Sequence, residues 1–293
     1  MGTDDVLGQI ATGGCSAWPL PSDETGPRVA RAVVRHTLVP MGLPDDDVAD
    51  AVLCVSELST NAIMHAPGGH LSAPPVAPEL WVYRRGQEGR PQLVIAVFDA
   101  LCRLRARGMA ERDDLFAEGG RGLDIVKTIA VGRSGWHLTR SRIGGWRVSG
   151  KACWFALPIT TTCPGAFPPR LRLSEAEAAA ALTGLLAGRG IGQMIRQDGL
   201  GQSVLSVRHG LTIWCRAGAF WWTSEGRTRR RPFSDIIEVG ERVVQLHEEL
   251  AAAAWANEQL HERLNEASHE ASHEGVVRRS GQGEGESHRG GES

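Results

Sequence analysis

Lysine is almost missing from this chain. Only Lys127 and Lys151 occur, and the remaining basic residues are arginine. That skew reads as coding bias and carries no function of its own. Net charge is nearly missing too, since 32 basic residues face 34 acidic ones for a formal total of −2. A global electrostatic pull toward nucleic acid or an acidic membrane is thereby excluded. No apolar run approaches the roughly 18 residues that a spanning helix needs. The opening residues Met1-Gly2-Thr3-Asp4-Asp5 lack the basic and apolar segments of a secretory signal, so a cytoplasmic location is expected. The six cysteines, Cys15, Cys54, Cys102, Cys153, Cys163 and Cys215, never fall at C-x-x-C spacing, which removes the zinc-ribbon and thioredoxin-like motifs. They read as reduced thiols used as small hydrophobes.

What is present is ordinary for a globular chain. Hydrophobic residues make up 42% and charged residues 23% of the 293, which rules out wholesale disorder and suits one large or two small domains. Composition divides the chain into residues 15–158, a proline-rich linker at 159–170, a second folded region at 171–267 and a polar tail at 268–293 expected to be disordered. The first region predicts a short strand near 16–20 and helices over 27–39 and 45–66. Strands near 79–84 and 92–98 follow, then a polar, lid-like stretch at 100–118. A helix over 122–131 and strands near 134–139 and 145–157 complete it. Helices grouped on one face of a mixed, mostly antiparallel sheet make an α/β sandwich.

Three motifs in this region carry chemistry. In Glu57-Leu58-Ser59-Thr60-Asn61-Ala62-Ile63-Met64-His65, the residues Glu57, Asn61 and His65 fall at i, i+4 and i+8 and share one helical stripe. A carboxylate can accept a proton from a hydroxyl, and an amide oxygen is a hard ligand suited to Mg²⁺. Taken alone, the stripe is equally a polar face that meets water. Asp99 closes the hydrophobic strand that ends Val97-Phe98-Asp99, where its carboxylate can accept a hydrogen bond from an adenine amino group or simply start a turn. The run Glu118-Gly119-Gly120-Arg121-Gly122-Leu123 puts glycines before a helix, where backbone N–H groups can meet phosphate oxygens.

In this order and at these separations, the motifs resemble the histidine-kinase-like (Bergerat) ATPases, and among them the bacterial anti-sigma-factor serine/threonine kinases. The resemblance spans residues 15–158. It implies ATP and Mg²⁺ as cofactors, Glu57 as general base and Asn61 as the Mg²⁺ ligand. It also implies Asp99 as the adenine reader and Gly119, Gly120, Arg121, Gly122 and Leu123 at the phosphates. Expected partners are a sigma factor and an anti-anti-sigma type switch protein, with neither direct nucleic-acid contact nor a membrane. The alternative is a non-catalytic, ATP-dependent protein-binding module of the same fold. Two departures stand out: Asp99-Ala100-Leu101-Cys102-Arg103-Leu104 lacks the glycines usual after the adenine-binding Asp, and Ala152 stands where the closing strand usually has Thr. The run Gly145-Trp146-Arg147-Val148-Ser149-Gly150-Lys151 fits a P-loop pattern, but Ala152 and a following strand exclude that reading.

The second region predicts a small α+β unit. Ser174-Glu175-Ala176-Glu177 is a capping box opening a helix over 174–187. Apolar runs at 203–207, 211–215 and 219–223 predict a three-stranded meander, with Trp214, Trp221 and Trp222 as its core or, as the alternative, an exposed Trp pair as a binding face. Arg227-Thr228-Arg229-Arg230-Arg231 reads as a solvated loop, with contact to nucleic acid or an acidic partner as the alternative. A long helix follows, with Ile236, Val243, Leu250, Asn257 and Leu264 at heptad position a, which raises the possibility of a homodimer through a two-stranded coiled coil.

Overall fold

A computed structural model describes residues 3–64, 76–87, 90–100, 120–144, 147–159 and 173–280. The elements of the first half are α1 (Thr3–Ala11), β1 (Cys15–Pro19), α2 (Gly26–Leu38), α3 (Asp45–Met64), β2 (Glu79–Gln87), β3 (Arg90–Asp99), α4 (Gly120–Ala130), β4 (Ser134–Arg140) and β5 (Ser149–Pro158). Of these, α1 is not anticipated by the sequence reading. It holds on through Val6 and Ile10, one turn apart and both buried.

The strands form one sheet in the order β1-β2-β3-β5-β4, and every described pairing in it is antiparallel. The helices lie on one face, as an α/β sandwich requires. From β3, Leu93, Ile95 and Val97 meet Ala51, Val55, Leu58 and Ala62 of α3 and Val126 of α4 in a single core. The steps of three and four residues along α3 give it this apolar face. Arg31 of α2 donates to Ser56 Oγ of α3 at 2.8 Å, tying the two helices above that core.

The second half comprises α5 (Glu175–Gly188), β6 (Ile195–Gly199), β7 (Gln202–Arg208), β8 (Leu211–Arg216), β9 (Ala219–Ser224), β10 (Arg227–Pro232), a 3₁₀ turn (Phe233–Asp235) and α6 (Ile236–Ser280). The capping box forms as expected, with Ser174 and Glu177 each bonded to the other's backbone. The meander has five strands instead of three, because polar edge strands β6 and β10 pair onto the apolar centre. The arginine run is therefore a strand, with Arg229 opposite Trp222 and Arg230 opposite Trp221. Residues 268–280, expected to be disordered, are helical. Residues 281–293 lie outside the described set.

Both sheets belong to one compact unit, Met1–Glu249, and Leu250–Ser293 forms another. The sequence reading separates the sheets into two domains. Inside the first unit, however, the second half covers the back of the first sheet. There, Trp81 and Phe98 stack with ring centroids 5.4 Å apart, and Tyr83, Val94 and Ala156 pack on Ile237 of α6. Beside them sits a buried charge network centred on Glu241. Its carboxylate accepts from Arg142, Arg189 and, at 3.0 Å, Thr139, with His137 Nε2 at 3.5 Å. The guanidinium groups of Arg142 and Arg189 each lie 5.0 Å from the Trp81 ring. Burial alone would raise the Glu241 carboxyl, but Arg142, Arg189 and His137 outweigh it and hold the group well below the usual carboxylate range.

Candidate site between helices α3 and α4

The stripe read from the sequence sits on α3, and α4 packs alongside that helix. Glu57 lies against Gly122, near the start of α4. A Cβ built on Gly122 would lie 2.4 Å from Glu57 Oε2. Only glycine lets the carboxylate lie against the first turn of α4. That turn begins at Gly120, and its leading N–H groups have no partner within the helix. A carboxylate, a helix N-terminus and a glycine thus share one small volume.

One turn farther along α3, the amide nitrogen Nδ2 of Asn61 is buried and has no hydrogen-bond partner among the described residues. An orphaned buried amide carries a cost of about 1–3 kcal/mol, so the group is expected to have a partner when the protein is at work. Leu123 turns its side chain into the main core at 8% exposure, so its backbone N–H is what it can offer a phosphate. Gly119 and His65 lie outside the described residues, as do the lid-like stretch 101–118 and the side chain of Arg121.

Asp99 ends β3 on the same face as Leu93, Ile95 and Val97, the face that carries the helices. It is buried at 8% exposure. Across the sheet it pairs with Lys151, whose Nζ lies 3.6 Å from Asp99 Oδ2. Burial pushes the Asp99 carboxyl up to about 6, with Lys151 pulling against that shift. The strands close tightly here because Gly150 has no side chain. A Cβ at that position would meet the Asp99 carbonyl oxygen at 2.1 Å.

Lys151 is the residue the sequence reading missed. Its relation to Asp99 depends on strand register, which no local pattern reports. The same register places Ala152 away from that carboxylate. That residue pairs with Phe98 and packs with Trp81 and Ala96 on the opposite face, so a hydroxyl there would point away from Asp99. The side chain that flanks Asp99 on the helix face is Lys151.

The described thiols agree with a packing role. Burial raises Cys54 and Cys215 to about 12 and Cys153 to about 11, which keeps them protonated. Among the described residues, no helix is long and apolar enough to cross a membrane. Nor does any group of three or more His, Cys, Asp or Glu side chains there form a self-sufficient metal cage. Mg²⁺ bound with a nucleotide does not require such a cage, because the phosphates and water supply most of its ligands.

Compared with known proteins, the chain matches no family model and no curated protein.

Proposed function

We propose that this chain binds ATP with Mg²⁺ and regulates a transcription-control partner in the manner of an anti-sigma-factor serine/threonine kinase, by phosphorylating that partner or holding it. The observation that carries this reading is the close approach of Glu57 to Gly122 at the start of α4, with the unpartnered Asn61 amide nitrogen, a donor suited to a phosphate oxygen, one turn away. A carboxylate, an amide and the leading N–H groups of a helix are groups that a phosphate carrying a metal ion can use. The residues present therefore fit the cofactor.

In this reading Asn61 would hold the metal through its amide oxygen, and Asp99 would accept a hydrogen bond from the adenine amino group. The N–H groups of Gly120, Arg121, Gly122 and Leu123 face the phosphates. Bound Mg²⁺ would supply charge neutralisation and fix the phosphate geometry. Glu57 takes the proton of the incoming serine or threonine hydroxyl.

The test is a calorimetric titration of the full chain with ATP, with and without Mg²⁺. Metal-dependent binding is expected. Asp99→Asn should weaken it by about 1–3 kcal/mol, the range for a buried charged hydrogen bond. Glu57→Gln should keep binding and abolish phosphotransfer to a captured partner. Absence of Mg²⁺-dependent binding at millimolar nucleotide rejects the reading.

The ion pair between Lys151 and Asp99 favours a second reading, a non-catalytic binding module. An ammonium on the adenine-reading carboxylate competes with nucleotide and suits a protein that holds its partner without turnover. Phosphotransfer by the wild type that is lost in Glu57→Gln decides for the kinase.

A further inference from the structure

The second sheet buries one face and, among the described residues, leaves the other partly to fully exposed. Leu205, Ile213, Cys215, Phe220 and Trp222 point inward to α5 and α6. The alternate residues point outward, and the strand register fixes which they are. Trp214 stands directly opposite Trp221, and Trp221 opposite Arg230. The row therefore reads Trp214-Trp221-Arg230 across three strands. Trp214 is 39% exposed. Arg216 and Arg230 lie over the Trp221 ring at 5.2 and 5.4 Å from its centroid. The indole N–H of Trp221 donates to the Arg216 carbonyl at 3.2 Å, which fixes the ring.

Charge on this face has one sign. None of the outward positions of β6–β10 set by the register is an Asp or Glu. The nearby acids are engaged elsewhere, Asp198 with Arg196 at 3.2 Å and Glu225 with Arg229 at 3.8 Å. Arg216 and Arg230 have no carboxylate partner among the described residues. An open antiparallel sheet therefore presents flat indole and guanidinium surfaces together with uncompensated positive charge.

We propose that this face binds single-stranded nucleic acid. Bases stack on Trp214 and on the guanidinium planes of Arg216 and Arg230, and phosphates neutralise those same arginines. Both contacts are indifferent to base identity, because every base has a π-face and every nucleotide a phosphate. An acidic peptide would use the charge but leave the exposed indole without a partner. In the sequence the arginines 227–231 run together without an aromatic between them. The aromatic comes from the neighbouring strand, and strand pairing is what interleaves the two. The site is separate from the candidate site between α3 and α4 and does not depend on nucleotide binding there.

The experiment is fluorescence anisotropy of the full chain against fluorescein-labelled 12-nucleotide oligo-U and oligo-dT at low salt, repeated at rising salt. Binding is expected with both strands, since neither contact needs a 2′-hydroxyl, and it should weaken with salt. Trp214→Ala should weaken it about tenfold, the range for losing one stacked base. Trp214→Phe should retain most of it. Replacing Arg216 and Arg230 together with Ala should lower the affinity and flatten the salt dependence. Four results each overturn the proposal: no binding at about 100 µM protein, where even non-specific complexes register; equal affinity for a duplex of the same length; equal competition by poly-glutamate; or binding untouched in Trp214→Ala.

Discussion

The two five-stranded antiparallel sheets of this chain treat their faces differently. In the first, β3 is buried without interruption from Gln92 to Asp99. In the second, β7 and β8 alternate between buried and accessible positions. Continuous burial means a sheet covered twice, and alternation means a sheet covered once. The helices α1–α4 account for one cover of the first sheet. Its other cover is the second half of the chain, joined through Glu241 and its arginines. The uninterrupted apolar run at 93–98 is thus a sequence-level sign that something besides the helices packs on that sheet.

The most forceful way to break this comparison is to remove Glu241. Glu241→Ala leaves Arg142 and Arg189 as buried cations without their shared carboxylate. Breaking one side of a buried ion pair costs about 3–5 kcal/mol. Urea unfolding should show that loss, and a change below about 1 kcal/mol would mean the covering of the first sheet rests on apolar contacts alone. A pH dependence accompanies it. Glu248 meets Arg140 at 2.6 Å, and its carboxyl lies at about 2 because bonds to His247, Ser149 and Arg140 outweigh burial. Both glutamates are held down, so their stabilisation is complete above the ordinary carboxyl range and fades as pH falls through it.

A matched pair of substitutions sharpens the same contrast. Val94 on the back of the first sheet is fully buried, whereas Val204 on the open face of the second is only partly so. Val94→Thr places a hydroxyl among Tyr83, Ala156 and Ile237 and should cost about 1–3 kcal/mol. Val204→Thr should stay within about 0.5 kcal/mol. Equal costs in urea unfolding would show that both sheets are covered on both faces.

How far the chain explains itself follows the same division. Elements with an apolar rhythm are legible: α2, α3, β3 and the three central strands of the meander. Elements without one are not. β6 is exposed along its whole length, and β10 reads as a charge cluster because its partner strand, not its own sequence, makes it a strand. Edge strands have this character because polar and charged residues there discourage pairing with other chains. At the candidate site, Glu57, Asn61 and Asp99 are legible as residue types at meaningful places. Two things are not legible, since both depend on how separate elements pack: the approach of Glu57 to Gly122 and the pairing of Asp99 with Lys151.

Asp99 supplies a smaller effect with the opposite sign to Glu241. Its folded-state carboxyl lies above the ordinary 3.8, at about 6, so the folded protein binds that proton more tightly than the unfolded chain does. The associated stabilisation is present below about pH 4 and lost as pH rises through about 6. Asp99→Asn should erase this slope. Urea midpoints measured between pH 4 and 7 check it, and a slope that survives the substitution would assign the titration to another group.

Gly122→Ala carries the smallest expected effect on stability and separates packing from function. The added methyl would displace the Glu57 carboxylate, which is the free end of a flexible side chain and can swing aside. Alanine also favours a helix over glycine by up to about 1 kcal/mol. The two terms oppose one another, so stability should change by less than about 1 kcal/mol. Function should not be so tolerant. The methyl occupies the space between the carboxylate and the leading N–H groups of α4, the space the proposed phosphate group needs. Mg²⁺-dependent ATP binding should fall while the urea midpoint holds. If stability drops by more than about 2 kcal/mol, well beyond the helix-propensity range, the contact between Glu57 and Gly122 is packing that the fold requires. The site between α3 and α4 would then lose its main support.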